Sequence, residues 1–283
     1  MYEKFCDVLC LEKTFITVEI NPPHGASMDG IIADIRKHNL QDKVTGFSCT
    51  DNPLAKLKMS GVLSAIKVQQ AFGKPVIATM SMRDKNKLSL QSTLLGANDF
   101  DLRCILALTV DPAKYSDQPD VKGVLERDST LLLSIIHRVN NGVSYSNKAL
   151  NPPPKPIYPF AVSNATAKDM NSLKKRMVKK LDYGARAIIT QPVYNLENAK
   201  ELLALFEEAK EISIRDTAKE ANLVLGQFPL VSARTANFID DKVPGISVPK
   251  PIIDEMNLAA MDGAEKEREV GYNLSKRIFD DVR

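Results

Sequence analysis

Three residues that could do acid–base or hydrogen-bonding chemistry stand at the ends of apolar runs: Glu19 in TFITVEINPP, Asp111 in RCILALTVDP and Gln191 in ARAIITQP. The first run is β-branched and stops at Pro22-Pro23, which cannot donate to a ladder, so Thr14–Pro23 reads as a short buried strand. Alternation puts Ile16, Val18 and Ile20 on one face and Phe15, Thr17 and Glu19 on the other. An acid carried inward there is costly unless it is paired or used, and desolvation would raise its pKa toward that of a proton donor. The alternative is a strand-end glutamate that is solvated or salt-bridged. On the fourth strand the same parity groups Ala107, Thr109 and Asp111 against Leu106, Leu108 and Val110. On the sixth it groups Ala187, Ile189 and Gln191. Small or polar residues facing in and bulky aliphatics facing helices suit a barrel wall, and barrel sites lie at the C-terminal ends of the strands. Two acids and an amide could then surround one ligand, although each alone is compatible with an ordinary strand-end polar residue.

The elements that must position them repeat. Strands are expected over Val44–Thr50, Pro75–Met80, Arg103–Val110, Ile157–Ser163, Ala185–Gln191 and Asn222–Phe228. Helices are expected over residues 1–13, from an N-cap at Ser27 to about Asn39, and over Gly61–Phe72, Lys87–Phe100, Asp128–Val139, Lys168–Tyr183 and Leu196–Glu211. Three more are expected near Ser232–Asp240, Lys250–Ala260 and Ala264–Val282. A strand start about every 30 residues is the βα repeat of a (β/α)8 barrel or a doubly wound sheet. No GxGxxG follows a strand and there is no GxxxxGK[ST], which favours the barrel. The expectation is one α/β domain over residues 1–283, a TIM-type barrel whose eighth strand is missing. Asp111–Lys155 holds one clear helix and ends in an extended proline-rich connector, Asn151-Pro-Pro-Pro-Lys-Pro.

Composition narrows the function classes. Lys+Arg 38 against Asp+Glu 35 leaves +3, with no dense basic block or aromatic-plus-basic pattern, so no nucleic-acid partner is expected. There is no signal-like N-terminus and no apolar run near ~18 residues, so neither secretion nor a membrane span is expected, and the setting is cytoplasmic. Cys6, Cys10, Cys49 and Cys104 form no metal spacing, and His24, His38 and His137 form no HExxH; no metal is expected. Cys6 and Cys10 fall one helical turn apart, where a surface metal or redox role is the alternative to packing. Lys174, Lys175, Arg176, Lys179 and Lys180 form a charge run on one helix, read as a solvated face or an anion contact.

TVEINPP, LTVDP, AIITQPVYN, LGQFPLVSARTANFIDDKVPGISVPKPIIDEM and ATMSMRDKNKLSLQSTLLGA resemble the corresponding stretches of methylenetetrahydrofolate reductases. The resemblance runs along almost the whole chain. It implies a (β/α)8 barrel that binds FAD, is reduced by NAD(P)H, and reduces 5,10-methylenetetrahydrofolate to 5-methyltetrahydrofolate. It implies Glu19 as the general acid, Asp111 as the acid between flavin and folate, and Gln191 and Thr235 as folate contacts. Ser48, Thr79, Asn164, Lys179 and Lys180 match positions that touch FAD. The chain also departs from the family. Thr79 stands where many members have His, and Val110 replaces a Gly close to the flavin. Leu125 and Phe160 stand near Tyr positions, and Leu173 and Arg176 replace polar contacts. These changes imply weakened flavin binding. The missing strand would also remove a basic folate contact. The alternatives are a folate reductase of the same family that works without tightly held flavin, and a non-catalytic barrel subunit completed by a partner. The N-terminal helix, the last helix or another subunit is expected to cover the open edge, and a homo-oligomer or a partner subunit is expected.

Overall fold

The computed structural model describes residues 1–3, 5–6, 15–109, 116–118, 120–124, 126–243 and 245–282. Asp111, Val110, Leu125 and Cys10 lie outside them. Seven strands occur among the described residues: β1 Thr17–Ile20, β2 Gly46–Cys49, β3 Val76–Ser81, β4 Cys104–Leu108, β5 Tyr158–Ser163, β6 Ala187–Pro192 and β7 Asn222–Gly226. The pairs β1–β2, β2–β3, β3–β4, β4–β5 and β6–β7 are parallel. Helices separate the strands along the chain, and no strand follows β7 among the described residues. This is the α/β, TIM-type barrel alternation without a last strand. The chain divides into two compact units, Met1–Ala161 with Asp182–Arg186, and Val162–Leu181 with Ala187–Arg283.

In the first unit the helices are α1 Asp29–Lys37, α2 Leu40–Lys43, α3 Gly61–Phe72, α4 Lys87–Asp99 and α5 Ser129–Asn140. Short polar residues close their N-termini. The Ser60 hydroxyl accepts from Leu63 N at 3.4 Å, Asn86 Oδ1 from Ser89 N at 2.9 Å, and Asp128 Oδ1 from Thr130 N at 3.0 Å. Ser27 Oγ accepts from Asp29 N at 3.1 Å, one residue ahead of the formal cap. The helix expected from Ser27 to about Asn39 ends there: Asn39 lies in the left-handed region at φ 50°, and α2 follows as a separate turn. Tyr2, Glu3, Phe5 and Cys6 are helical, and this turn packs beneath the strands. Phe5 lies so close to Gly46 that a Cβ there would sit 2.9 Å from its ring and 2.6 Å from Pro75 O. Arg103 Nη1 reaches Glu3 at 2.7 Å and holds that carboxyl down at about 2. Lys155, in the proline-rich connector, exchanges backbone hydrogen bonds with the Asn98 amide at 2.8 and 3.0 Å.

The register corrects one expectation. Residues paired across parallel strands share a face. Glu19 pairs with Ser48, Ser48 with Ile77, Thr79 with Leu106, and Leu106 with Phe160. Leu106 and Leu108 therefore share the Glu19 face, whereas Ala107 pairs with Met80 and Ala161 on the other. Small residues on β4 face away from Glu19, not toward it. Thr109 shows the reason: its hydroxyl accepts from Ser129 N at 2.9 Å, at the start of the helix that packs on β4. A small residue is needed where that helix comes close, and the room on the opposite face takes leucine.

In the second unit the helices are α6 Met170–Asp182, α7 Leu196–Ile212, α8 Ala233–Lys242, α9 Lys250–Met261 and α10 Ala264–Val282. One core joins Leu173, Met177 and Leu181 of α6 to Ile188 of β6 and Leu202 and Phe206 of α7. A second joins Leu230, Ala236, Ile239, Met256, Leu274 and Ile278. No helix among the described residues is long and apolar enough to cross a membrane.

Candidate functional site

Glu19 ends the β1 ladder one residue before Ile20 and is exposed. Burial nevertheless raises its carboxyl above the ordinary range. Both hold for a group in a recess, where solvent reaches it from one side and protein fills the others. The Cys49 thiol beside it is pushed up to about 12, by burial first and by the Glu19 charge second. Desolvation is the cause of the raised carboxyl, and no ion pair to Glu19 occurs among the described residues. Ser48 and Thr79 share its face and are buried. The ends of β1 and β2 are tied by Thr50 Oγ1 donating to Asn21 Oδ1 at 2.8 Å. Next to them the nearly buried Asp51 accepts from Ser81 N at 3.0 Å and Lys85 Nζ at 2.7 Å. Sequence reasoning missed this cluster, because all its members but Ser81 follow strand ends, where alternation carries no information.

In the second unit Gln191 sits at a bulge. Ile189 pairs with Val224 but Pro192 pairs with Gly226, so the ladder slips by one residue at Thr190–Gln191. Thr190 Oγ1 accepts from Gly226 N at 2.9 Å. The strand reaches Pro192 instead of stopping at Gln191, and the bulge re-aims the amide. Its Oε1 is buried and has no hydrogen-bond partner among the described residues. Gly245 lies against it: a Cβ there would be 2.6 Å from Gln191 Oε1 and 2.6 Å from both Cγ and Nδ2 of Asn164. The structure thus brings Gln191 and Asn164 together across a glycine that no motif reading had singled out. The Pro244-Gly245 step in KVPGIS was the available signal, a turn dipeptide whose glycine takes φ 83°.

Asn164 and Gly245 also line an open cavity of about 590 Å³ with Thr166, Lys168, Asp169, Ser172 and Arg176. It lies at the N-terminal end of α6, where backbone N–H groups favour anions. Lys180 does not reach outward: its ammonium donates to Val162 O. Lys179 is exposed, and Lys174 pairs with Glu208 at 2.6 Å. Thr235 belongs to the first turn of α8, where its N–H and hydroxyl both meet Ser232 Oγ, at 3.1 and 2.8 Å. For FAD, the two cations, hydroxyls and amide of the cavity suit a diphosphate, with the Asp169 carboxylate opposing it. In the first unit Phe160 is 1% exposed and offers no hydroxyl where the family resemblance implies a tyrosine nearby.

Parallel strands alternating with helices, with no strand after β7 among the described residues, define the class, an α/β fold of TIM-barrel type. The chain belongs to the methylenetetrahydrofolate reductase family, whose profile matches residues 4–281. Comparison with curated protein sequences gives no match. Among solved structures, a Clostridium thermocellum protein described as uncharacterised and as binding two copies of 5-methyl-5,6,7,8-tetrahydrofolic acid superposes with TM-score 0.62, at 18% identity, over 99% of this chain and 85% of its own. A 2,3-dimethylmalate lyase of the PEP mutase/isocitrate lyase superfamily superposes with TM-score 0.50 at 11% identity, over 92% of this chain and 98% of its own. At these identities both likenesses concern the fold.

Proposed function

We propose that the protein reduces 5,10-methylenetetrahydrofolate to 5-methyltetrahydrofolate, with Glu19 as general acid. The observation that carries this reading is the Glu19 carboxyl itself: at a strand end, exposed, and raised by burial, with no ion pair among the described residues. An acid kept protonated nearer neutrality can donate to a weakly basic amine. Protonation of the folate ring nitrogen breaks its C–N bond and opens the five-membered ring. The iminium cation left behind accepts a hydride at its carbon, which becomes the methyl group. Asp111 is assigned, by the family resemblance, the charge that stabilises this cation. Gln191 holds the pterin: a bare, buried acceptor is unfavourable until a donor meets it, and a pterin offers N–H groups at its edge. Bound FAD would supply the hydride, drawn from NAD(P)H. Lys168, Arg176 and Asn164 would hold its diphosphate.

The test is turnover of methylenetetrahydrofolate by the purified protein and by Glu19→Gln. The variant should lose about 10²–10⁴ in folate reduction, the usual weight of one positioned acid. Oxidation of NAD(P)H by added flavin needs no such acid and should continue. Unchanged folate turnover in Glu19→Gln would remove Glu19 from the mechanism.

A further inference from the structure

We propose that Gly245 is a positioning residue, which sets the amides of Gln191 and Asn164 through the close approach of its bare Cα. This deepens the folate reading and rests on it for the meaning of Gln191, but the geometry stands by itself. The loop holding Gly245 is pinned on both sides. Gly245 O accepts from Ala165 N and Thr166 N, both at 3.2 Å, which ties it to the residues just after β5. Val248 N donates to Asp240 Oδ1 at 2.9 Å, which ties it to α8. Between these anchors the backbone takes φ 83°, so that the missing side chain points at two amides at once. Any Cβ would stand 2.6 Å from Gln191 Oε1 and from Asn164 Cγ, closer than such atoms come, and the pinned loop cannot retreat. Glycine also presents no side-chain donor there. Among the described residues no group donates to Oε1, which leaves it available to a ligand. Asn164 meanwhile forms part of the polar cavity at α6. One glycine therefore fixes both the amide assigned to the substrate and the amide on the wall of the anion cavity.

Gly263 provides the control. Its φ is 104°, so alanine there is strained in the same way, but nothing lies within 4 Å of its Cβ position. Gly245→Ala, Gly263→Ala, Gln191→Ala and the Gly245→Ala/Gln191→Ala double variant are titrated with 5-methyltetrahydrofolate by calorimetry, alongside thermal unfolding. Both glycine variants should lose stability. Only Gly245→Ala should also weaken the folate, by about tenfold or more, because a misplacement near 1 Å has effects of that order or larger. In the Gln191→Ala background the same substitution should add less than about threefold, as expected for two residues acting through one contact. Wild-type affinity in Gly245→Ala, or an undiminished loss in the Gln191→Ala background, overturns the proposal. If the wild-type protein binds no folate, the folate reading fails instead. The proposal is then read from the side-chain amide NMR signals of Gln191, identified by their loss in Gln191→Ala. They should move in Gly245→Ala and stay put in Gly263→Ala; signals unmoved in both would overturn it.

Discussion

Glu19 carries a thermodynamic signature that is independent of catalysis. Its carboxyl is raised in the folded chain, so the folded state holds the proton more tightly than the unfolded one. Ionisation therefore weighs against folding above the folded-state pKa, and the penalty vanishes as pH falls below the unfolded value near 4.3. Glu19→Gln should be more stable than the wild type at pH 7–8, with the gap closing toward about pH 4. Urea midpoints measured across that range check it, and equal midpoints at every pH would contradict the raised carboxyl. The same residue shows what one sequence conveys. Its strand, face and end position were legible from β-branched alternation stopped by two prolines. The recess was not, because it depends on neighbours that alternation does not name, such as Ser48 and Thr79 on the adjoining strands. Gln191 was singled out as a polar residue after an apolar body, but its unmet acceptor and the bulge beneath it depend on β7 and Gly245.

Elements were read more surely than their faces. The helix starts were legible because the caps are short polar residues with specific jobs, as at Ser60, Asn86 and Ser232. Strand β4 was misfaced because the rule of small residues inward ignores the helix that needs Ala107 and Thr109 on its side. A similar contest between local preference and packing occurs in α10. Alanine for a mid-helix glycine ordinarily stabilises by about 0.8–1 kcal/mol. At Gly271, however, a Cβ would sit 2.1 Å from Leu230 O, in the segment after β7, and Leu230 N already donates to Ser275 Oγ of the same helix at 3.1 Å. Overpacking costs about 1–3 kcal/mol, and a backbone oxygen cannot rotate aside, so packing should win. Gly271→Ala is expected to lower stability by up to roughly 2 kcal/mol, the upper end of the difference of those two effects, because a contact as close as 2.1 Å to backbone lies at the costly end. Gly96→Ala in α4, with nothing within 4 Å of its Cβ position, should raise it slightly. Denaturant unfolding of the pair gives the answer in its signs; a stabilised Gly271→Ala would mean that α10 moves away from Leu230 freely.

For the molecule as a whole, the open matter is how firmly it holds the cofactor its family implies. Under the proposed reading the anionic half would lie in the second unit, between Lys168 and Arg176 at the start of α6, with Ser172, Thr166 and Asn164 around the cavity. Lys180, expected to help, is engaged with Val162 O. Thr79 and Phe160 lack the imidazole and the phenol that the family resemblance implies there, so the same reading gives the ring half fewer polar contacts. Binding should therefore depend strongly on the phosphates. Arg176 is exposed, so its charge acts through solvent and is screened by salt. Arg176→Glu is expected to weaken FAD and ADP alike, by about tenfold at low salt, the effect of some 1.4 kcal/mol. Riboflavin, which has the ring and no phosphate, should bind the variant and the wild type equally, and the FAD difference should shrink as salt is raised. Quenching of flavin fluorescence follows FAD and riboflavin, and calorimetry follows ADP. If Arg176→Glu binds FAD as the wild type does, the cavity at α6 is not where the diphosphate lies. If riboflavin weakens as much as FAD, the substitution has disturbed the fold and not a charge contact.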